Sequence, residues 1–367
     1  MAAGSSSPQG ERWFELDLLR ALAILAVIFI HSSAWVVPTT APAYTGLIAA
    51  LVGLSRFSVP AFVLASGLVL YRRYGDGVPA GRFLRRRWSR VVAPWLCWAP
   101  VLGALHYARG DFASLDDARA WLLHGGGLYF LVLIAQLYLL FLAVAHLRVG
   151  HRGLVVLTAL AVAVQLGLGS WRTYGALPRQ GPLAWLWTRL AYEEAPFYVG
   201  YFALGCLAGA EWESIRGWWR CWPAALAAAL VSMALFVAES FTVAPGAARH
   251  ETNVFIWPAT LPLTTSVALL VLWSAHVLRR HAAWSIPVGS WLGRRSLGLY
   301  IVHPLALRLL GPHLGWLPDW PTILLLVSGS LALAALAVAA LRSTPWTAAS
   351  IGERPGAGRL SLLGQAR

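Results

Sequence analysis

The sequence predicts an all-α fold, a polytopic membrane helix bundle of about ten transmembrane helices with both termini in the cytoplasm. Three observations predict it. First, the 367 residues are 58% hydrophobic and 12% charged, with a mean hydropathy of +0.63; a soluble domain is nearer a quarter charged. Second, about ten apolar runs approach the roughly 20 residues a helix needs to cross a bilayer. Third, cations crowd alternate intervening segments. This composition excludes a disordered tail, a disulfide-stapled mini-protein and an ordinary cytosolic enzyme. The formal net charge of +14 would by itself suggest nucleic acid or anionic lipid as partner. All 29 basic residues are arginine, which we read as base composition rather than chemistry. Their positions decide what the charge means.

The expected spans are 18–38, 45–71, 91–108, 127–147, 153–170, 195–210, 222–240, 254–278, 296–312 and 321–341. The first follows a leader, 1–17, that carries Glu11, Arg12, Glu15 and Asp17. It has no small-residue cleavage site, so it reads as a retained helix and not a signal peptide. The second carries Arg56, Pro60 and Ser66-Gly67, and Pro60 predicts a kink. The third follows the densest cationic segment, Arg82 to Arg90. The fourth opens on Tyr129-Phe130 and contains Gln136 and Tyr138, expected to pack and hydrogen-bond between helices. The fifth, sixth and ninth are short; the sixth holds Gly205 and Gly209, a spacing that favours close helix packing. Residues 18–341 form the membrane domain, and the Gly/Ser/Arg-bearing tail, 342–367, is expected to be loose.

With the N-terminus inside, twenty of the 29 arginines fall in inner segments, six in outer ones, and Arg20, Arg56 and Arg308 within spans. The positive-inside rule therefore places both termini in the cytoplasm. Trp88, Trp95, Trp98, Trp171, Trp185, Trp187, Trp218, Trp219 and Trp222 crowd the span ends, as an interfacial aromatic belt does. Cys97, Cys206 and Cys221 show no metal or redox spacing. No P-loop, dinucleotide fingerprint, HExxH motif or internal repeat is present.

Ionisable groups inside a bilayer cost a few kcal/mol or more, so each is a functional candidate. Arg20 and His31 are eleven residues apart, about 16 Å along one helix face. Arg20 serves either chemistry or as a snorkelling anchor paired with Asp17. His31 is either the general base or a histidine bonded to a neighbouring helix. Arg56 lies about 20 Å above the inner edge, level with His31; an outer-interface anchor is its alternative. Arg87 and Arg90, at i,i+3 beside Arg85 and Arg86, could clamp a polyphosphate or simply anchor the chain inside. Tyr300 and His303 share one side of the ninth span, where bundle hydrogen bonding is the alternative.

These residues resemble acyltransferase family three, the multi-pass membrane acyltransferases that modify sugars, glycans and natural products. Four motifs carry the resemblance in order: Arg20 with His31 after ten residues; Val59-Pro60, Phe62 and Ser66-Gly67; Arg87 and Arg90 followed by Pro94; and Ser296, Tyr300 and His303-Pro304. The family often has a histidine before the aromatic pair of the fourth span; here Gly127 or Leu128 stands there, with His124 nearby. The resemblance implies an acyl-coenzyme A donor, usually acetyl-CoA, as co-substrate with no bound cofactor. It implies catalytic roles for His31 and Arg20. Arg85, Arg86, Arg87 and Arg90 are then expected to hold the donor phosphates. Arg56, Ser66, Gly67, Tyr129, Tyr300 and His303 are expected to line the cavity. The acceptor is a hydroxyl of a glycan or small molecule, without nucleic acid as partner. His31 lies away from the donor loop, so either the donor arm reaches deep or the acceptor arrives from outside. A polytopic exporter of an anionic or glycan substrate, and a membrane sensor or scaffold, are the competing classes.

Overall fold

The structure is a computed structural model and describes residues 13–36, 47–75, 77–147, 149–174, 194–242 and 254–355. The leader through Arg12, the tail from 356, and Trp185 and Trp187 of the aromatic belt lie outside these. Its helices are α1 (Phe14–Ser33), α2 (Leu47–Ser55), α3 (Ser58–Tyr74), α4 (Ala80–Arg87), α5 (Ala93–Ala108), α6 (Leu115–Leu123), α7 (Tyr129–Ala145), α8 (His151–Tyr174), α9 (Val199–Ala210), α10 (Trp212–Gly217), α11 (Trp222–Thr242), α12 (Thr260–His281), α13 (Ser285–Leu310), α14 (Asp319–Leu341) and α15 (Pro345–Ser350). A π-helical turn, Trp88–Val92, joins α4 to α5. No strand occurs among the described residues.

Each expected run falls on helix. Six stretches are long and apolar enough to cross a membrane, namely Ala50–Tyr74, Ala80–Ala108, His151–Tyr174, Trp212–Ser240, Thr260–His281 and Asp319–Leu341. Tyr129–Ala145 and Val199–Ala210 are shorter apolar helices. The remaining two runs fall on α1 and α13, which carry several charges each. Leu160, Val164, Leu230, Leu235, Leu324 and Leu336 are exposed, so the outer helices turn apolar side chains outward. A lipid environment suits that surface and water does not.

Four boundaries differ from expectation. Helix α1 begins at Phe14, and Glu15 and Asp17 are buried rather than part of a solvated leader. Glu15 accepts a hydrogen bond from Arg279 at 3.0 Å, with Arg216 at 3.8 Å, and this pairing makes its burial tolerable. The second span breaks at Arg56-Phe57, between α2 and α3. Pro60 explains the break: it has no N–H to donate to the Arg56 carbonyl four residues back. The cationic segment is helix continuous with α5, not a loop. Finally, the described part of the segment after Leu341, residues 342–355, holds a helix. It forms α15, which packs on α5 and buries Ala348 and Ile351.

Helix α1 sits centrally, against α3, α12, α13 and α14. Two crossings need glycine. A Cβ on Gly293 of α13 would lie 2.0 Å from the Asp17 carbonyl oxygen, so α13 touches the α1 backbone. A Cβ on Gly205 of α9 would lie 2.0 Å from the Leu64 carbonyl oxygen, and one on Gly67 of α3 would lie 2.2 Å from that of Phe202. The α3–α9 pair thus meets backbone to backbone. In lipid, such van der Waals contact replaces the hydrophobic drive that water supplies.

Candidate active site

Arginines from α1, α3, α4, the π-helical turn, α13 and the segment after α15 gather in one region of the bundle. Two spaces open there. The outer is a pocket of about 220 Å³ lined by Arg73, Arg86, Arg87, Arg90, Arg354 and Glu353, among others. The inner is a cavity of about 300 Å³ that shares Arg87, Arg90 and Glu353 with it. Arg20, Ser66, Tyr138, Ser296 and Tyr300 line the inner cavity, with Phe62 and Phe130 on its apolar wall.

The cations are held from several helices. Arg20 projects from α1 and interacts electrostatically with Asp17, Tyr138 and Arg87. Arg87 closes α4, and its guanidinium lies 4.7 Å from the Tyr138 ring centroid and 5.2 Å from that of Phe83. Cation–π contact on two rings fixes the group without neutralising it. Arg90 sits in the π-helical turn, and π turns recur at functional sites because they re-aim side chains. Glu353 is the one carboxylate lining either space among the described residues. Its Oε2 pairs with Arg342 Nε at 2.8 Å. Burial pushes this carboxyl above the ordinary carboxylate range, and Arg342 and Arg295 partly offset the shift.

Tyr300 lines the cavity and its ring stands edge-on to Phe130 at 5.6 Å. One turn further along α13 is His303, fully buried. Its Nδ1 donates to the Tyr300 carbonyl at 2.8 Å. Pro304 is the reason that carbonyl is free. The carbonyl of residue 300 would ordinarily accept from the N–H of residue 304, and proline has none. With a proton on Nδ1, His303 presents Nε2 as an acceptor. His31 Nδ1 lies 2.9 Å from that Nε2 and therefore carries the donated proton. The rings stack at 5.0 Å. These assignments leave His31 Nε2 with a free lone pair. His31 is exposed, although protein surrounds it at longer range. Arg56 stands within electrostatic range of His31, and its guanidinium lies 5.2 Å from the Phe255 ring centroid.

The expected site residues thus divide. Arg20, Ser66, Arg87, Arg90 and Tyr300 share the inner cavity, and Arg86 lines the outer pocket. His31, His303 and Arg56 form a second cluster beyond Tyr300. Three expected residues lie elsewhere. Gly67 does not line the cavity; it is the close-approach point of α3 on α9. Arg85 lines a separate, largely apolar groove with Leu84, Trp88 and Leu139. Tyr129 packs half-buried against the core while its neighbour Phe130 takes the cavity wall. At the place of the family's histidine, Gly127 has a left-handed φ of +75°. His124 bonds the Ala120 carbonyl at 2.7 Å and offers no replacement. Spacing along the chain missed Arg73, Glu353 and Arg354. A signal for the last two existed: Thr344-Pro345 is a helix start and Ile351-Gly352 a helix stop. No cluster of side chains suited to a metal ion occurs among the described residues.

Comparison with known proteins agrees with this architecture. A family model described as an acyltransferase domain matches residues 13–342. YfiQ of Bacillus subtilis (strain 168), assigned as a membrane-bound acyltransferase, is 26% identical over 247 residues. The match covers 61% of this chain and 66% of that protein's length, just under two thirds. No solved structure matches. With a family model matched over residues 13–342, the chain belongs to acyltransferase family three.

Proposed function

We propose that the protein transfers an acyl group, acetyl as the first expectation, from acyl-coenzyme A to a hydroxyl of a carbohydrate, glycan or natural-product acceptor. One observation carries the donor half of this reading. Arg20 and Arg87 line one inner cavity, and that cavity adjoins a pocket with five arginines and one glutamate. Like charges so concentrated repel, and a bound polyanion relieves the repulsion. Coenzyme A carries its phosphates at one end and its thioester at the other, on a flexible arm. By the positive-inside rule the arginine-rich end faces the cytosol, where this donor is found.

The chemistry then falls to the histidine pair. His31 Nε2 takes the proton of the acceptor hydroxyl as the oxygen attacks the thioester carbonyl. The tetrahedral intermediate collapses, the C–S bond breaks, and the departing thiolate recovers the proton from His31. His303 holds His31 in the tautomer that leaves Nε2 free. Arg20, about 16 Å from His31 along α1, neutralises charge on the donor. The exposure of His31, away from the arginine cluster, favours an acceptor that approaches from the opposite side of the membrane.

Purified protein in detergent with labelled acetyl-CoA tests the reading. Acetyl-CoA hydrolysis, or transfer to an added hydroxyl acceptor, supports it. Movement of an unmodified solute with no loss of thioester overturns it. The double substitution Arg87→Ala/Arg90→Ala is expected to raise KM for acetyl-CoA at least about tenfold, the loss of one charge-assisted contact or more. An unchanged KM with poorer membrane insertion reduces these arginines to topological anchors. Mass spectrometry of surface glycans and secreted metabolites, with and without the protein, identifies the acceptor.

A further inference from the structure

The segment that follows the last long helix reaches into the donor space, although the family match stops at 342. We propose that Glu353 and Arg354 are donor-recognition residues. Arg354 binds a phosphate of the nucleotide thioester, and Glu353 hydrogen-bonds an amide or hydroxyl group of its arm. The proposal rests on the acyl-CoA reading above and extends it to a part of the chain the family does not define.

The segment is built to hold a fixed position. Thr344 caps α15 by accepting from the Thr347 N–H at 3.2 Å, and Pro345 occupies the first helical position. The helix ends in two reversed backbone bonds, Gly352 N–H to the Ala349 carbonyl at 3.0 Å and Glu353 N–H to the Ala348 carbonyl at 2.9 Å. That closure needs a left-handed residue, and Gly352 has a φ of +67°. Glycine is needed for a second reason: a Cβ there would lie 2.6 Å from the Arg90 carbonyl oxygen. Ala348 and Ile351, both fully buried, anchor the helix. Residues 353 and 354 therefore leave α15 at a set place, beside the π-helical turn that carries Arg90.

What they do there follows from their surroundings. Arg354 joins Arg73, Arg86, Arg87 and Arg90 around the outer pocket. Among the described residues Arg354 makes no ion pair that would offset the repulsion of five clustered arginines; an anionic ligand would offset it. Glu353 lines both spaces, so it stands where a donor threads from one to the other. Its two oxygens differ. Oε2 is held by Arg342, whereas Oε1 is buried with no hydrogen-bond partner. The carbon position of a side chain on Gly298 would lie 3.1 Å from that Oε1, so α13 presents only bare backbone there. A buried carboxylate oxygen left unsatisfied is costly, and a polar group on the donor arm would satisfy it.

Coenzyme A binding to the full-length protein in detergent is the test. Wild type is measured first, alongside inorganic phosphate as the competing anion. Arg354→Gln is expected to weaken CoA binding about tenfold, with Arg354→Lys recovering part of it. Glu353→Gln is expected to weaken CoA more than inorganic phosphate, because phosphate has no arm. CoA, and not phosphate, is expected to slow amide exchange across 345–354. Arg220→Gln, a cation at the same end but outside both spaces, is the control and leaves CoA affinity unchanged. If wild type does not bind CoA, the donor reading itself fails. If wild type binds CoA while both Arg354→Gln and Glu353→Gln bind it equally well, the donor reading stands and this proposal is overturned. A loss of monodisperse protein in one variant leaves the exchange measurement on wild type to decide.

Discussion

Replacing His31 by alanine is expected to lower acyl transfer by about 10²- to 10⁴-fold, the range a positioned general base contributes. Affinity for coenzyme A should stay at the wild-type value, because His31 lines neither the arginine pocket nor the inner cavity. The two measurements together separate loss of chemistry from loss of fold. His303→Gln should give an intermediate loss. Its side chain can still accept from His31 Nδ1, but it cannot reproduce the bond to the Tyr300 carbonyl with the same ring geometry. Full activity in His31→Ala would sink the assignment and move the base to another group at the site.

Gly205→Val is expected to have the largest effect on the folded state. The Cβ position at Gly205 is 2.0 Å from the Leu64 carbonyl oxygen, a distance no side chain tolerates. Backbone does not yield as a rotamer does, so α9 must separate from α3. Overpacking in a tight core costs about 1–3 kcal/mol or more, and here it also removes contact at the Gly67–Phe202 approach nearby. Loss of the monodisperse peak in size exclusion, or a marked fall in Tm, is the expected outcome. Gly217→Val, where a Cβ meets nothing within 4 Å, is the matched control. A normal melting curve for Gly205→Val would show that the two helices do not pack as described.

Which parts of the site could be read from sequence follows from the reach of helical spacing. Arg20, Ser66, Tyr300 and the Arg87/Arg90 pair were legible as polar groups interrupting apolar faces. Each is placed by its own helix, and each lines the inner cavity. Adjacent positions were not legible with the same rule. Successive residues on a helix point about 100° apart, so Ser66 faces the cavity while Gly67 faces α9. The same rotation sends Arg85 to the apolar groove and Arg86 to the pocket. The contact between His31 and His303 joins residues 272 positions apart. No spacing within either helix reports it, because it depends on the glycine crossing of α1 and α13. The break at Arg56 was signalled by Pro60, but a proline acts on the carbonyl four residues back, so the kink falls earlier than the proline.

An activated thioester threatens any amine near it. Lysine attacks such carbonyls once its ammonium loses a proton, and it is a common target of acylation. Guanidinium stays protonated under all physiological conditions and is a poor nucleophile. The pocket at the mouth of this cavity draws its positive charge from Arg73, Arg86, Arg87, Arg90 and Arg354, and the chain contains no lysine at all. Whatever the origin of that usage, an acyl donor bound as proposed above would meet no lysine amine on this wall. The wall binds as a cation and remains inert as a base. In the proposed reaction the base is instead the imidazole pair beyond Tyr300, away from that wall.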